Sequence, residues 1–298
     1  MLLDPQTFKG RKPGKKLLIL GAVHGKEVCG PEAINRVISE IRKGSINIEC
    51  GSVTFVPICN PKAFEKGERY IDCNLNRFLG HPEDPDFYET RIGEELCPLL
   101  DECDVLLDLH SYTAGGAPFV FIDTSAKEEK RFAKCLGAAI FLTGWQKAYA
   151  NSTKRQKKPK SYESMGTTEY ARQHGAIAVT FECGQHKDPA SVDFAYRAIL
   201  NALHFLNLCP VSLNGTRLQK NVPLIELQQV IWRGKGGEFT RDLQQMQLIA
   251  ANEVVAHHKN GRKISVPYDA HIIMPHADAP SGEEWFYFGR KIQEAQPC

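Results

Sequence analysis

The sequence predicts an α/β protein whose sheet carries helices on both faces, followed by a smaller, mostly β domain. Two patterns lead there. Short apolar runs alternate with helix-like stretches up to residue 206, and after Cys209-Pro210 only short strand candidates separated by turn signals follow. The 298 residues, 42% hydrophobic and 24% charged, suffice to bury such a core and are too apolar for intrinsic disorder.

Strand-length runs fall at 17–22, 53–58, 104–109, 119–122 and 176–181, each rich in Val, Ile, Leu or Phe. They are near-continuous rather than alternating, which places core on both sides of the sheet. The first run follows Arg11-Lys12-Pro13-Gly14-Lys15-Lys16 and superficially resembles a signal peptide. It ends, however, in His24-Gly25-Lys26-Glu27 without a small-residue cleavage site, as a buried strand would. Helical stretches lie at 31–42, where Pro31 suits the first helical position, at 88–100 and at 189–206. Beyond them, Asn214-Gly215, the glycines of 234–237, Asn260-Gly261 and Ser281-Gly282 punctuate the β region. The expected domains are therefore 1–209 and 210–298.

Charge and cysteine usage narrow the function. The 37 basic and 35 acidic side chains leave +2, without the basic excess that phosphate contacts demand, so no nucleic-acid partner is expected. The longest apolar run, 17–23, is far short of the roughly 20 residues that span a bilayer, so no membrane helix is expected. Ten cysteines at irregular spacings, with no Cys-x-x-Cys pair, fit reduced thiols in a cytoplasmic protein. Cys59, at the end of an apolar run, reads as a small buried hydrophobe.

In α/β sheets, ligands gather where strands end. His24-Gly25-Lys26-Glu27 follows the first run, His110 follows 104–109, and Glu182 follows 176–181. Two imidazoles and one carboxylate form a catalytic zinc set that keeps a fourth position open, and His24, Glu27 and His110 can supply it. By itself His-x-x-Glu fits a solvated turn leading into a helix cap equally well. A strand-end Glu182 fits a carboxylate that caps a neighbouring loop.

Four ordered segments carry the reading further: His24-Gly25-Lys26-Glu27, Arg69-Tyr70-Ile71-Asp72-Cys73-Asn74-Leu75-Asn76-Arg77, Asp108-Leu109-His110 and Phe181-Glu182-Cys183-Gly184. In order and strand context they resemble the succinylglutamate desuccinylase/aspartoacylase family, a branch of the carboxypeptidase-A-like zinc hydrolases, over about the first 200 residues. The resemblance implies a mixed, mostly parallel sheet of the zinc-carboxypeptidase type with a trailing β domain. It implies one Zn2+ per chain on His24, Glu27 and His110, with Glu182 as general base for a zinc-activated water. It makes Arg69 the group that steadies the oxyanion, and Asn76 with Arg77 the grip on a substrate carboxylate, a task suited to a planar guanidinium. Without that context, surface ion pairing is the ordinary fate of such arginines.

The implied activity is that of a zinc metallohydrolase acting on a linear amide. It would cleave a small anionic N-acyl amino acid, of acetyl or succinyl type, to a carboxylic acid and a free amino acid. A metallocarboxypeptidase acting on short peptides or glutamyl tails, and a non-catalytic binding protein on the same fold, are the alternatives. An oligomer is compatible with all three. One position departs from the family pattern Asp-x-Asn-Arg, because Asn74 stands where an aspartate would orient a ligating histidine. Asn74 can accept the hydrogen bond but brings no charge, so weaker metal binding or slower turnover is expected.

Other features carry less weight. Lys154-Arg155-Gln156-Lys157-Lys158-Pro159-Lys160 reads as an exposed loop or a guide for an anionic substrate. Met165-Gly166-Thr167-Thr168-Glu169 leads into a helix and either lines an acyl pocket or caps that helix. Arg172 is left outside the core site, and His257, His258, His271 and His276 read as turn or surface residues.

Overall fold

The apolar runs of the sequence become the centre of one sheet. A computed structural model describes residues 1–81, 84–123, 127–152, 165–210 and 222–292. Its first part comprises β1 (Gln6–Lys9), β2 (Lys12–Leu20), α1 (Cys29–Arg42), β3 (Cys50–Val56), α2 (Pro61–Lys66), a 3-10 turn (Leu75–Arg77), α3 (Tyr88–Glu102), β4 (Val105–Tyr112) and β5 (Phe119–Phe121). Then come α4 (Lys127–Cys135), β6 (Ile140–Thr143), α5 (Trp145–Ala150), α6 (Thr167–Gln173), β7 (Ile177–Gln185) and α7 (Ala190–Phe205). The remainder is β8 (Leu224–Trp232), β9 (Glu238–Phe239), β10 (Leu248–Ile249), β11 (Ala256–His257), β12 (Lys263–Ile264), β13 (Ala270–Ile273) and β14 (Glu284–Ile292). Among the described residues no helix is long and apolar enough to cross a membrane.

Eleven strands form a mixed sheet in the order β1-β3-β2-β4-β7-β5-β6-β8-β14-β13-β10. The β3-β2-β4-β7 centre is parallel, whereas β5 runs antiparallel to β7. Alternate residues explain the buried runs. Leu17, Ile19, Val105 and Leu107 face the core under α1 and α7, while Leu18, Leu20 and Leu106 face the core under α3. All eight residues of β4 are buried. The C-terminal strands continue this sheet, because β8 pairs in parallel with β6 and antiparallel with β14. A small β12-β11-β9 sheet lies beside them.

One buried ion pair ties this C-terminal region to the first half of the chain. Arg77, 8% exposed, donates from Nη2 to Glu284 Oε1 at 2.7 Å and from Nε to the Tyr149 hydroxyl at 2.8 Å. Its Cζ lies 4.7 Å from the centroid of the Trp145 ring. Tyr287 donates to Glu284 Oε2 at 2.6 Å, and Tyr149 also bonds Glu284. Burial pushes the Glu284 carboxyl up, but the charge of Arg77 outweighs it and holds the group down at about 2. Such a carboxylate stabilises the fold fully above its ordinary value of 4.5 and loses that contribution as pH falls through about 2. Glu284→Gln is expected to cost about 3 kcal/mol at pH 7, because the buried guanidinium loses its counter-charge. Denaturant titrations should show the gap to the parent protein closing between pH 4.5 and about 2; a gap that ignores pH would contradict the ion-pair account.

Candidate active site

The turn that follows β2 folds back on itself, with the Glu27 N–H donating to the His24 carbonyl at 3.1 Å. Gly25 is required there: a Cβ on it would lie 2.1 Å from the Ala63 carbonyl carbon, so only glycine lets the turn pack on α2. The Gly25 N–H donates to the Arg69 carbonyl at 3.2 Å, which joins this turn to the second motif. That motif is held by Glu89 on α3, a buried carboxylate that accepts the backbone N–H groups of Ile71, Asp72 and Cys73 at 2.7–3.2 Å. The third and fourth motifs meet through strand register, since His110 on β4 lies opposite Glu182 on β7. Both residues sit inside their strands, which run on to Tyr112 and Gln185, and not at the ends that the apolar runs suggested.

His24, Glu27 and His110 are each at most 4% exposed, and one ligand atom from each lies within 4.8 Å of the other two. Nδ1 of His24 is 2.9 Å from Glu27 Oε1, and Nδ1 of His110 is 2.9 Å from Glu27 Oε2. The opposite ring nitrogens are anchored. His24 Nε2 is 3.1 Å from Asn74 Oδ1, an atom identified as oxygen by the Asn76 N–H that donates to it at 3.0 Å. His110 Nε2 is 2.9 Å from Asp108 Oδ2, and the Thr167 hydroxyl also donates to that carboxylate.

Burial, with Arg69 nearby, lowers His24 to about 4, so at neutral pH its ring is uncharged. With Nε2–H donating to Asn74, the Nδ1 lone pair faces the Glu27 carboxylate. Two acceptors so close together are resolved by a cation between them, and a His2Glu donor set with anchored rings suits zinc. Burial pulls His110 down, but the Asp108 and Glu27 carboxylates raise it well above its ordinary value. Glu182 is raised well above the usual carboxylate range by burial, and its Oε2 has no hydrogen-bond partner among the described residues.

All seven residues singled out by the motifs line one cavity of about 390 Å³: His24, Glu27, Arg69, Asn76, Arg77, His110 and Glu182. Arg69 Nη1 is 3.8 Å from Glu27 Oε1, and the side chain is one-third exposed to the cavity. The Asn76 Oδ1 accepts from the Thr167 N–H at 2.8 Å, which leaves its amide nitrogen for a ligand. Thr168 and Glu169 line the cavity, and Glu169 Oε2 accepts the Gly166 N–H at 3.2 Å, which caps the helix. Arg172 lies outside the cavity, and the basic run 154–160 lies outside the described residues.

Asp108 stands in the third motif without an assigned role, although a charge inside an otherwise apolar run is a visible signal. Other residues lie outside the motifs. His276 is a correction: expected at the surface, it lines the cavity because the segment after β13 folds back, its N–H donating to the Trp285 carbonyl at 2.9 Å. His257 and His271 lie in β11 and β13 and not in turns. Glu284 and Tyr287, brought in by β14, had no local signal at all.

Residues 13–206 match the family model of the succinylglutamate desuccinylase/aspartoacylase catalytic domain. A probable aspartoacylase of Prochlorococcus marinus subsp. pastoris is 38% identical over 105 residues, which cover 34% of this chain and 34% of that protein. An N-acyl-aromatic-L-amino acid amidohydrolase (carboxylate-forming) of Rattus norvegicus is 34% identical over 119 residues, 35% of each chain. The chain thus spans about a third of the length of these curated relatives. The crystal structure of a succinylglutamate desuccinylase/aspartoacylase from Rhodobacter sphaeroides superposes with a TM-score of 0.73 over 98% of this chain and 89% of that one, at 16% identity, and shows the same fold. The chain belongs to the succinylglutamate desuccinylase/aspartoacylase family.

Proposed function

We propose that the chain is a zinc-dependent amidohydrolase that cleaves an N-acyl amino acid, of acetyl or succinyl type, into a carboxylic acid and a free amino acid. What supports the reading most is the convergence of His24, Glu27 and His110 within 4.8 Å, beside the buried and partly unpartnered Glu182. Zinc held by those three residues would supply Lewis acidity, which polarises a carbonyl and brings water to a pKa of about 7.

The remaining steps belong to side chains of this chain. Glu182, made a stronger base by the burial that raises it, takes a proton from the attacking water and passes it to the departing amine. Arg69 carries the positive charge nearest the metal end of the cavity and steadies the oxyanion. Arg77 has five N–H groups, of which Tyr149, Glu284 and the Asn76 carbonyl take three. The other two, with the amide of Asn76, grip the substrate carboxylate, and Glu284 keeps the guanidinium from turning away.

Glu182→Gln is expected to keep stoichiometric zinc by elemental analysis and to lose about a thousandfold in kcat on N-acetyl amino acids; undiminished turnover would remove Glu182 from its role. Asn74→Asp gives the Nε2–H of His24 a charged acceptor. Its zinc affinity is expected to rise about tenfold in competition with a chelator, and no gain would show that the neutral amide serves as well.

A further inference from the structure

The far wall of the cavity indicates which amino acid the site releases. On the antiparallel β5–β7 pair, Phe119 stands opposite Glu182 and Phe121 opposite Thr180. Residues two apart on a strand share a face, so Phe121 and Thr180 stand on the Glu182 face, about 7 Å farther from the metal ligands. There the ring of Phe121 meets Trp145 edge-on at 5.4 Å between centroids, and Trp145 lies 5.2 Å from Tyr287. Tyr112 and Met274 complete this wall. Arg77 is seated on it, over Trp145. A carboxylate gripped by Arg77 therefore starts at the aromatic wall. The side chain leaves the same carbon as that carboxylate, whereas the acyl group lies beyond the scissile nitrogen, toward the metal end.

Charge excludes an acidic side chain from this wall. The ionisable group beside Thr168 is Glu169, itself a carboxylate. The nearest candidate cation on α6, Arg172, is already engaged: its Nε and Nη2 grip Glu129 at 2.8 and 3.0 Å, Nη2 also donates to the Ala178 carbonyl at 2.7 Å, and Nη1 lies 3.4 Å from Glu169 Oε1. Glu284 already balances the charge of Arg77. Among the described residues the other lysine and arginine of the cavity, Lys26 and Arg69, belong to the metal end, one adjoining Glu27 in the chain and the other 3.8 Å from it. A second carboxylate on the substrate would lose water at this wall and gain no cationic partner among the described residues.

We infer that the enzyme, on the amidohydrolase reading above, prefers N-acyl amino acids with an aromatic or large aliphatic side chain, and that Phe121 and Glu169 set this preference. The test is a kcat/KM series on the full zinc-loaded chain with N-acetyl-L-phenylalanine, N-acetyl-L-leucine, N-acetyl-L-alanine, N-acetyl-L-aspartate and N-succinyl-L-glutamate. Phenylalanine and leucine substrates are expected to exceed both acidic ones by at least about tenfold. Phe121→Ala should shrink the phenylalanine-to-alanine ratio about tenfold, and Glu169→Gln, which keeps the helix-capping acceptor, should shrink the phenylalanine-to-aspartate ratio. Equal rates, a preference for the acidic substrates, or ratios untouched in both variants would overturn this inference and leave the amidohydrolase reading standing. Hydrolysis of none of the five would overturn that reading and the preference with it.

Discussion

A single buried carboxylate holds the candidate site together. Each oxygen of Glu27 faces an imidazole 2.9 Å away, and Oε2 also accepts the Ser111 N–H at 3.1 Å. A charge this deeply buried persists only when surrounded by partners. Those partners come from three places: the turn after β2, the middle of β4, and Arg69 in the loop after α2. The parallel β2–β4 pairing brings the first two together, and the Gly25 contact with α2 brings the third. The sheet thus serves as an alignment device, and the register of β4 with β7 adds Glu182 without any further loop.

Much of this arrangement was legible in the residue order. Near-continuous apolar runs identified β2, β3, β4, β5 and β7, because only strands covered on both faces can be apolar throughout. Polar residues at the ends of those runs pointed to His24, Glu27, His110 and Glu182. In β4 and β7 the runs stopped short of the true strand ends, since hydrophobicity marks where a strand is buried in apolar surroundings and is silent where the same strand carries chemistry. For that reason His110 and Glu182 read as terminal although both lie within β4 and β7.

What local order could not reveal are pairings between distant segments. Glu284 is 207 positions from the Arg77 it neutralises, and Thr167 is 59 positions from Asp108. No periodicity encodes such contacts; they arise only when the sheet order sets β14 next to β8 and α6 beside β4. Arg172 illustrates the converse. The sequence left it outside the core site without a partner, and only the fold shows that Glu129 on α4 takes its guanidinium.

The continuity of the sheet through β6, β8 and β14 divides the candidate site between early and late parts of the chain. The segments bearing His24, Glu27, His110 and Glu182 all lie at or before β7. Arg77 lies among them, yet the carboxylate that balances its charge and sets its direction comes from β14. A chain cut ahead of β14 would therefore keep every member of the His24, Glu27 and His110 cluster and leave the guanidinium without its counter-charge.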